Sequence, residues 1–220
     1  MNPLLNGVRF ATVVFDVDST LAAIEGIDWL ATLRSPAVAA ACADLTARAM
    51  AGEMSLEEVY ELRLRAIGPT VDEIAALAEA YRHAVEPGAV ALIDALREAG
   101  CEVHMVSGGL RSALLPLARD LGVVPNRLHA VSLIADDSGR LVVLHGTQPL
   151  ATQRGKPKVL SELALPRPSV MIGDGATDAA ARGVVDSFIA YTGVARRPAV
   201  VELADAEAPD FASLYDLLFE

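Results

Sequence analysis

The chain has 220 residues, 53% of them hydrophobic, and a formal net charge of −11 at pH 7. This length and apolar content can bury a substantial core and favour one α/β domain with a modest insertion over two independent domains. The negative charge argues against nucleic acid and anionic membrane surfaces as partners. It does not exclude an anionic small substrate, because metal ions and basic side chains can make the field locally positive.

Two features of the sequence bear on where the protein works. It has no apolar stretch near the about 18 uninterrupted residues of a transmembrane helix, and its N-terminus lacks the basic and apolar regions of a signal peptide. The two cysteines, Cys42 and Cys101, lie among apolar residues, which is typical of structural thiols in a reducing compartment. We expect a cytoplasmic protein, either a monomer or a homodimer.

The first predicted element is a strand over 11–15 that ends at two carboxylates, Asp16 and Asp18. Its β-branched, nearly uncharged sequence is typical of a strand buried on both faces of a parallel sheet. Because side chains alternate along an extended chain, the two carboxylates point to the same side and repel unless a cation or a proton intervenes. This indicates a metal site or an acid paired with a base. The alternative is that Asp18 and Ser19 only cap the next helix.

Residues 21–86 form a long segment rich in Ala, Leu, Glu and Arg, with helical spacing and little strand character. Glu86-Pro87-Gly88 marks its end. We interpret the segment as a helical cap inserted after the first strand. The α/β core is then formed by residues 1–20 and 87–220.

After the predicted cap, helices over about 89–99 and 111–121 flank a strand, which is the alternation of a parallel sheet. That strand ends in Ser107-Gly108-Gly109. The serine hydroxyl and the glycine amides can bind an anion at the start of the following helix, although such a sequence alone is also common in ordinary turns. Two apolar runs in 130–146 surround Asp136-Asp137-Ser138-Gly139 and predict a β-hairpin.

A second acidic cluster follows the predicted strand 169–172, in the sequence Gly173-Asp174-Gly175-Ala176-Thr177-Asp178. The glycines permit tight turning and close approach of the backbone to a ligand. Each close pair of carboxylates at this edge costs about 4 kcal/mol at an intermediate dielectric. A bound divalent cation removes that cost, and oxygen ligands with room for water and phosphate favour Mg²⁺.

Lys156 precedes an apolar helical pattern between these clusters. A lysine in that position is ordinarily a solvated surface residue. In chain order, the polar segments resemble the four motifs of the haloacid dehalogenase superfamily of phosphohydrolases: Asp16-x-Asp18-Ser19-Thr20, Ser107-Gly108-Gly109, Lys156 and Gly173-Asp174-Gly175-x-x-Asp178. Each motif is short, but their joint occurrence in this order is specific.

Further segments are similar to the phosphoserine phosphatases of that superfamily: Glu25-Gly26-Ile27-Asp28, Arg48-Ala49-Met50-x-Gly52, Leu62-Arg63-Leu64 and Thr147-Gln148-Pro149. The resemblance extends over about 13–191. It implies a Rossmann-like parallel sheet core with an inserted helical cap and a β-hairpin. It also implies a Mg²⁺-dependent phosphomonoester hydrolase.

The resemblance assigns roles to the acidic residues. Asp16 would be the nucleophile that forms an aspartyl-phosphate. Asp18 would protonate the leaving oxygen and then deprotonate the attacking water. The Mg²⁺ ligands would be Asp16, the backbone carbonyl of Asp18, and Asp174.

The phosphoryl oxygens would be held by Ser107, the Gly108 amide and Lys156. Gly109 and Thr177 also belong to the implied set of substrate-binding residues. The alternative outside the enzymes is a catalytically silent sensor that binds a phosphorylated metabolite in the same pocket. The presence of Asp16 argues against this alternative, because a sensor needs no nucleophile.

By the same resemblance, Glu25 would bind the ammonium of phosphoserine and Arg63 its carboxylate. Met50 would pack beside them and exclude water. Without the family, Arg63 reads as part of a solvated helix face and Met50 as a core residue. The predicted reaction is hydrolysis of O-phospho-L-serine. The alternative is a related phosphatase or phosphotransferase for another small phosphorylated amine, such as phosphohomoserine or phosphoethanolamine.

Three positions qualify the resemblance. Leu56 stands where the phosphoserine phosphatases usually carry Phe, and Thr177 stands where some of them carry Asn. Neither belongs to the phosphoryl-transfer set, so both bear on the substrate more than on the reaction. Arg197 follows the expected last core strand, which ends near Tyr191, and is similar in position to a family arginine near the site.

Overall fold

A computed structural model describes residues 7–50, 53–136, 140–143 and 146–219, except for the side chain of Met50. The predicted contact of Met50 with substrate therefore lies outside the described residues. The strands, in chain order, are β1 (Thr12–Phe15), β2 (Glu102–Leu110), β3 (Leu128–Val131), β4 (Leu133–Ala135), β5 (Leu141–Val143), β6 (Ser169–Gly173), β7 (Ser187–Tyr191) and β8 (Ala206–Ala208). Six of them form a parallel sheet in the spatial order β3-β2-β1-β6-β7-β8, which confirms the predicted α/β class.

Strand β1 lies between β2 and β6, and all four of its residues are buried. Phe15, its last residue, is in register with Met105 of β2 and Ile172 of β6. The order of strands along the chain reverses between β1 and β6, so this junction is a topological switch point. Ligands of open α/β sheets bind at the carboxyl edge of such a junction.

The helices, in chain order, are α1 (Gly26–Thr32), α2 (Pro36–Met50), α3 (Leu56–Ile67), α4 (Val71–His83), α5 (Ala89–Glu98), α6 (Arg111–Asp120), α7 (Gly155–Glu162), α8 (Ala176–Ala179), α9 (Pro198–Val201) and α10 (Phe211–Phe219). Helices α1–α4 all follow β1 and precede α5. We refer to residues 21–86, which contain these four helices, as the helical insertion. Capping boxes begin α3 at Ser55 and α4 at Thr70. These caps satisfy amide groups that the first turn of a helix leaves without partners.

The chain enters and leaves the helical insertion side by side. Ala23 donates its amide to the carbonyl of Ala84 at 2.8 Å, and Glu86 donates to the carbonyl of Leu21 at 2.9 Å. These bonds hold the first and last residues of the insertion against each other. The division into a core of residues 1–20 and 87–220 and a cap of 21–86 stays a prediction.

The structure confirms one local expectation from the sequence and differs from two others. The predicted hairpin is confirmed, since β4 and β5 pair antiparallel, although residues 137–139 of its turn lie outside the described ranges. The expectation that the sheet ends near Tyr191 was wrong, because β8 pairs with β7 beyond it. The sequence of β8, Ala-Glu-Ala, is too short and too weakly apolar to predict a strand. Ser107-Gly108-Gly109 lies within β2, where the pairing with β3 shifts register after Val106, instead of in a turn.

Within the described ranges, every helix falls short of the length and apolarity needed to cross a bilayer. Cys42 and Cys101 are both buried free thiols. Burial is the main cause that raises the pKa of the Cys101 thiol to about 12. A thiol that stays protonated in this way has the low reactivity of a structural cysteine.

Candidate active site

Asp16 follows β1 directly, at the switch point of the sheet. Its backbone amide donates to the carbonyl of Ile172 at 2.9 Å, which extends the pairing of β1 with β6 by one residue. The residue is buried, and its Oδ1 lies 2.8 Å from Nζ of Lys156. A carboxylate held against a buried cation at this edge is well placed to meet a ligand that arrives there.

Lys156 is the second residue of α7 and is only 4% exposed. Its ammonium lies between Asp16 and Asp178 and contacts a carboxylate oxygen of each. Burial works to lower the pKa of Lys156, but the two carboxylates outweigh it and hold the pKa above its ordinary value. Lys156 is therefore a buried, charged group and not the solvated surface lysine that its local sequence would allow.

One carboxylate oxygen from each of Asp16, Asp174 and Asp178 lies within 4.8 Å of the other two. Asp178 also accepts a hydrogen bond from Lys156 and, at 3.0 Å, one from the amide of Gly175. Burial and the charge of Asp16 raise the pKa of Asp178 to about 7, against the effect of Lys156. The predicted set of metal ligands, Asp16, Asp174 and the backbone carbonyl of Asp18, stays a prediction.

The donor set of this acidic triad fits a hard divalent cation. Among the described residues, Asp16 Oδ1 and Asp174 Oδ2 are buried carboxylate oxygens that accept no hydrogen bond. Each contacts a cationic side chain, Lys156 in the first case and Arg197 in the second. Carboxylate oxygens are the ligands that Mg²⁺ prefers, so the residues present suit that ion.

Asp18 lies two residues beyond Asp16, and its two carboxylate oxygens have different partners. Oδ1 accepts from the hydroxyl of Tyr81 at 2.6 Å and from the amide of Gly26, the first residue of α1, at 2.8 Å. Oδ2 accepts a hydrogen bond from Oγ of Ser107 at 3.3 Å. Burial, then the charges of Glu25 and Asp16, raise the pKa of Asp18 to about 7. Asp18 thus contacts the start of a helix, as the simpler sequence interpretation expected, and also contacts Ser107 in β2.

Ser107, Gly108 and Gly109 line the neighbouring strand end. The hydroxyl of Ser107 is fully buried and accepts the amide hydrogen of Gly109 at 2.9 Å. A Cβ on Gly109 would lie only 3.1 Å from Oδ2 of Asp18, so the absence of a side chain there leaves that oxygen accessible. The carbonyl of Gly108 accepts from the hydroxyl of Tyr60 at 2.7 Å.

The structure also locates the predicted substrate contacts of the insertion. Glu25 accepts a hydrogen bond from the hydroxyl of Ser19 at 2.7 Å, and its Oε1 lies 3.8 Å from Arg197. Arg63 forms an ion pair with Asp28, and among the described residues its buried Nε has no hydrogen-bond acceptor. Glu25 therefore adjoins the acidic motif, while Arg63 already has an anionic partner.

A cleft of about 730 Å³ separates the start of α3 from the core. The helical insertion contributes Met54 and Leu56 to its walls, and the core contributes Arg154 and Ala176. Thr177, next to Ala176, is half-buried. Leu56 thus faces a space between the insertion and the start of α8, where the length of a side chain affects what fits.

The structure adds two site residues that the sequence analysis missed, Tyr60 and Tyr81. Both are buried in the insertion, and their hydroxyls reach the Gly108 carbonyl and Asp18 across 48 and 63 residues of sequence, respectively. Their local patterns are those of ordinary core positions on amphipathic helices, so no sequence signal distinguishes them. Arg197, expected near the site, does contact Asp174 and lies close to Glu25.

Comparison with known proteins agrees with this geometry. Residues 13–181 match the sequence model of the haloacid dehalogenase-like hydrolases. The chain is 36% identical to the chloroplastic phosphoserine phosphatase of Arabidopsis thaliana, over 94% of this chain and 71% of the relative. A crystal structure of a phosphoserine phosphohydrolase-like protein from Francisella tularensis superposes with a TM-score of 0.81 at 26% identity, covering 94% and 98% of the two chains. A structure described as a phospho-aspartyl intermediate analogue of phosphoserine phosphatase superposes with a TM-score of 0.73 at 25% identity, also over 94% and 98%. The chain belongs to the haloacid dehalogenase-like hydrolase family.

Proposed function

We propose that this protein is a Mg²⁺-dependent phosphatase that hydrolyses O-phospho-L-serine to L-serine and phosphate. The observation that carries the proposal is the buried carboxylate of Asp16, held against the ammonium of Lys156 at the switch point of the sheet. The names of the relatives supply the substrate and the covalent intermediate.

In the first step, an oxygen of Asp16 attacks phosphorus, and the bond from phosphorus to the serine oxygen breaks. A proton from Asp18 goes to that oxygen, so L-serine leaves as the neutral alcohol. In the second step, water loses a proton to Asp18 as its oxygen bonds to phosphorus. The bond to Asp16 then breaks and phosphate is released.

Lys156, the hydroxyl of Ser107 and the amide of Gly108 bind the phosphoryl oxygens in both steps. Charge stabilisation at these oxygens contributes most to the rate of phosphoryl transfer. Mg²⁺ would be held by Asp16, Asp174 and the Asp18 carbonyl, and it neutralises charge on the phosphoryl group when bound. Asp178 holds the ammonium of Lys156 in place through its own ion pair.

Selection of the substrate falls to Glu25 and to the helical insertion, which acts as a cap. Glu25 binds the ammonium of phosphoserine and Arg63 its carboxylate, with Thr177 and Gly109 beside the phosphate. Arg63 must then exchange Asp28, whose side chain is 54% exposed, for the substrate carboxylate. Both acceptors are carboxylates, so the exchange conserves the type of ion pair.

The Arg63–Asp28 ion pair also favours a second candidate. If this pair persists with substrate bound, the site recognises a phosphorylated amine without a carboxylate, such as phosphoethanolamine. The phosphoryl-transfer residues serve both candidates equally, so only substrate preference separates them.

The test is Mg²⁺-dependent phosphate release from L-phosphoserine, D-phosphoserine, phosphothreonine, phosphohomoserine, phosphoethanolamine and an aryl phosphate, with Asp16→Asn as the control. Preference for L-phosphoserine that is lost in Asp16→Asn supports the first candidate. Preference for phosphoethanolamine, with Asp16 still required, supports the second. Equal hydrolysis by Asp16→Asn would contradict both.

A further inference from the structure

The hydroxyl of Tyr81 in α4 lies on Asp18, the proton-transfer residue of the proposed function. It donates to Oδ1 at 2.6 Å, and Tyr81 is fully buried. The amide of Gly26 donates to the same oxygen at 2.8 Å. Oδ1 therefore has two fixed donors.

The chain near Gly26 leaves space for this contact. A Cβ on Gly26 would lie 2.1 Å from the hydroxyl oxygen of Tyr81 and 2.9 Å from the ring carbon that bears it. No side chain fits there unless the buried ring moves. The absence of a side chain at Gly26 and the position of the Tyr81 hydroxyl therefore depend on each other.

Oδ2, the other oxygen of Asp18, has a different environment. It accepts a hydrogen bond from Oγ of Ser107 at 3.3 Å, and the missing side chain of Gly109 leaves room beside it. This is the side on which the phosphoryl group binds in the proposed function. An acid or base there must present a defined oxygen to the reacting group within hydrogen-bond reach.

We propose that Tyr81 is a positioning residue that holds Oδ1 of Asp18, so that Oδ2 is the oxygen that exchanges protons with substrate and water. The proton on Oδ2 goes to the leaving oxygen as its bond to phosphorus breaks. A proton of the attacking water returns to Oδ2 as the bond from phosphorus to Asp16 breaks. This inference rests on the proposed function.

The test compares an alkyl phosphate, L-phosphoserine, with an aryl phosphate such as p-nitrophenyl phosphate, whose phenolate leaves without a proton. The value of kcat/KM reports the steps through departure of the leaving group. Tyr81→Phe should lower kcat/KM for the alkyl substrate about tenfold or more, because a displaced acid loses much of its roughly 10²- to 10⁴-fold effect. The value for the aryl substrate should stay within about twofold. The ratio of the two values is the readout.

Tyr191→Phe is the matched control, since Tyr191 is also a buried tyrosine whose hydroxyl donates to a carboxylate, that of Glu86. Its ratio should equal that of the unsubstituted protein. Gly26→Ala displaces the Tyr81 hydroxyl without removing it and should lower the ratio as Tyr81→Phe does. The double variant should add little, because both changes remove one interaction.

A parallel fall for both substrates, or an unchanged ratio in Tyr81→Phe and Gly26→Ala, would overturn the role of Tyr81. That result leaves the proposed function intact as long as the unsubstituted protein hydrolyses phosphoserine. If another alkyl phosphate is the better substrate, the ratio is measured with that compound. If the unsubstituted protein hydrolyses no phosphate ester, both proposals fail.

Discussion

The carboxyl edge of the sheet and the helical insertion both carry ion pairs, but in very different surroundings. At the sheet edge, the side chains of Asp16, Lys156 and Asp178 are 9%, 5% and 0% exposed. In the insertion, Arg63 pairs with an Asp28 side chain that is 54% exposed. Charges interact more strongly away from water, and breaking a buried pair leaves an uncompensated charge. The sheet edge is therefore suited to chemistry, and the insertion to adjustable recognition.

The largest expected effect comes from removing the buried ammonium of Lys156 at the sheet edge. Lys156→Met leaves Asp16 and Asp178 facing each other without their shared ammonium. We expect phosphatase activity to fall by about 10² to 10³ or more and, without metal, the free energy of unfolding to fall by about 3–5 kcal/mol. Initial rates and denaturant unfolding measure the two effects.

Lys158→Met is the control, because Lys158 is exposed on the same helix, α7. It should change both quantities little. Equal destabilisation by the two substitutions would show that the sheet-edge ion pairs have no special energetic weight.

The acidic triad at the sheet edge should also make the stability of the protein depend on metal binding. Mg²⁺ should stabilise the unsubstituted protein by about 2.7 kcal/mol at a concentration 100 times its dissociation constant, since it binds only the folded chain. Asp174→Asn should remove most of this gain. Thermal unfolding with Mg²⁺ and with a chelator measures it. A gain that persists undiminished in Asp174→Asn would place the ion elsewhere.

Within the insertion, Arg63→Ala should alter substrate choice more than chemistry. We expect kcat/KM for phosphoserine to fall about 10- to 100-fold, the value of a charge-assisted hydrogen bond of about 1.5–3 kcal/mol. The value for phosphoethanolamine should change little. Arg65→Ala, an exposed arginine on the same helix, is the control. An unchanged ratio of the two substrates in Arg63→Ala would exclude carboxylate recognition by this residue.

The smallest expected effect concerns Glu73, which forms the capping box of α4 together with Thr70 and an ion pair with Arg34. The hydrogen bonds from Arg34 are the main cause that lowers the pKa of Glu73 to about 2. A carboxyl with a lowered folded-state pKa stabilises the fold above its unfolded pKa of about 4.3. That stability is lost as the pH falls toward 2.

Glu73→Gln should therefore lower the free energy of unfolding by about 1 kcal/mol near pH 7, and by progressively less below pH ~4. Denaturant unfolding at several pH values measures this. Glu79→Gln on the same helix, whose partner Arg82 is exposed, should have a smaller effect. A Glu73→Gln effect that stays constant down to pH 2 would contradict the ion-pair explanation.

The sequence predicted much of the sheet edge because strand ends leave a clear signal. Apolar runs that stop at Asp16, Ser107 and Asp174 place these residues on neighbouring strands once the sheet is parallel. Lys156 needed the family resemblance, because its local sequence does not separate a buried lysine from an exposed one. Helices α5 and α6 lie within one residue of their predicted bounds.

The contacts of the insertion could not be predicted in the same way. Tyr81 reaches Asp18 through the packing of α4 on the core, and the distance between them depends on how both ends of the insertion are tied. The pairing of Arg63 with Asp28 likewise joins two helices and follows no helical i, i+4 spacing. Strand β8 was missed because it is stabilised by its neighbour β7 and not by its own composition.

The proposed reaction requires that Asp16 is the nucleophile. Rapid quenching of the enzyme with ³²P-labelled phosphoserine and Mg²⁺, followed by peptide mapping, tests it directly. We expect an acid-stable, alkali-labile phosphoryl group on the peptide that contains Asp16, and none in Asp16→Asn. A phosphoryl group on another residue, or turnover by Asp16→Asn at the unsubstituted rate, would contradict it.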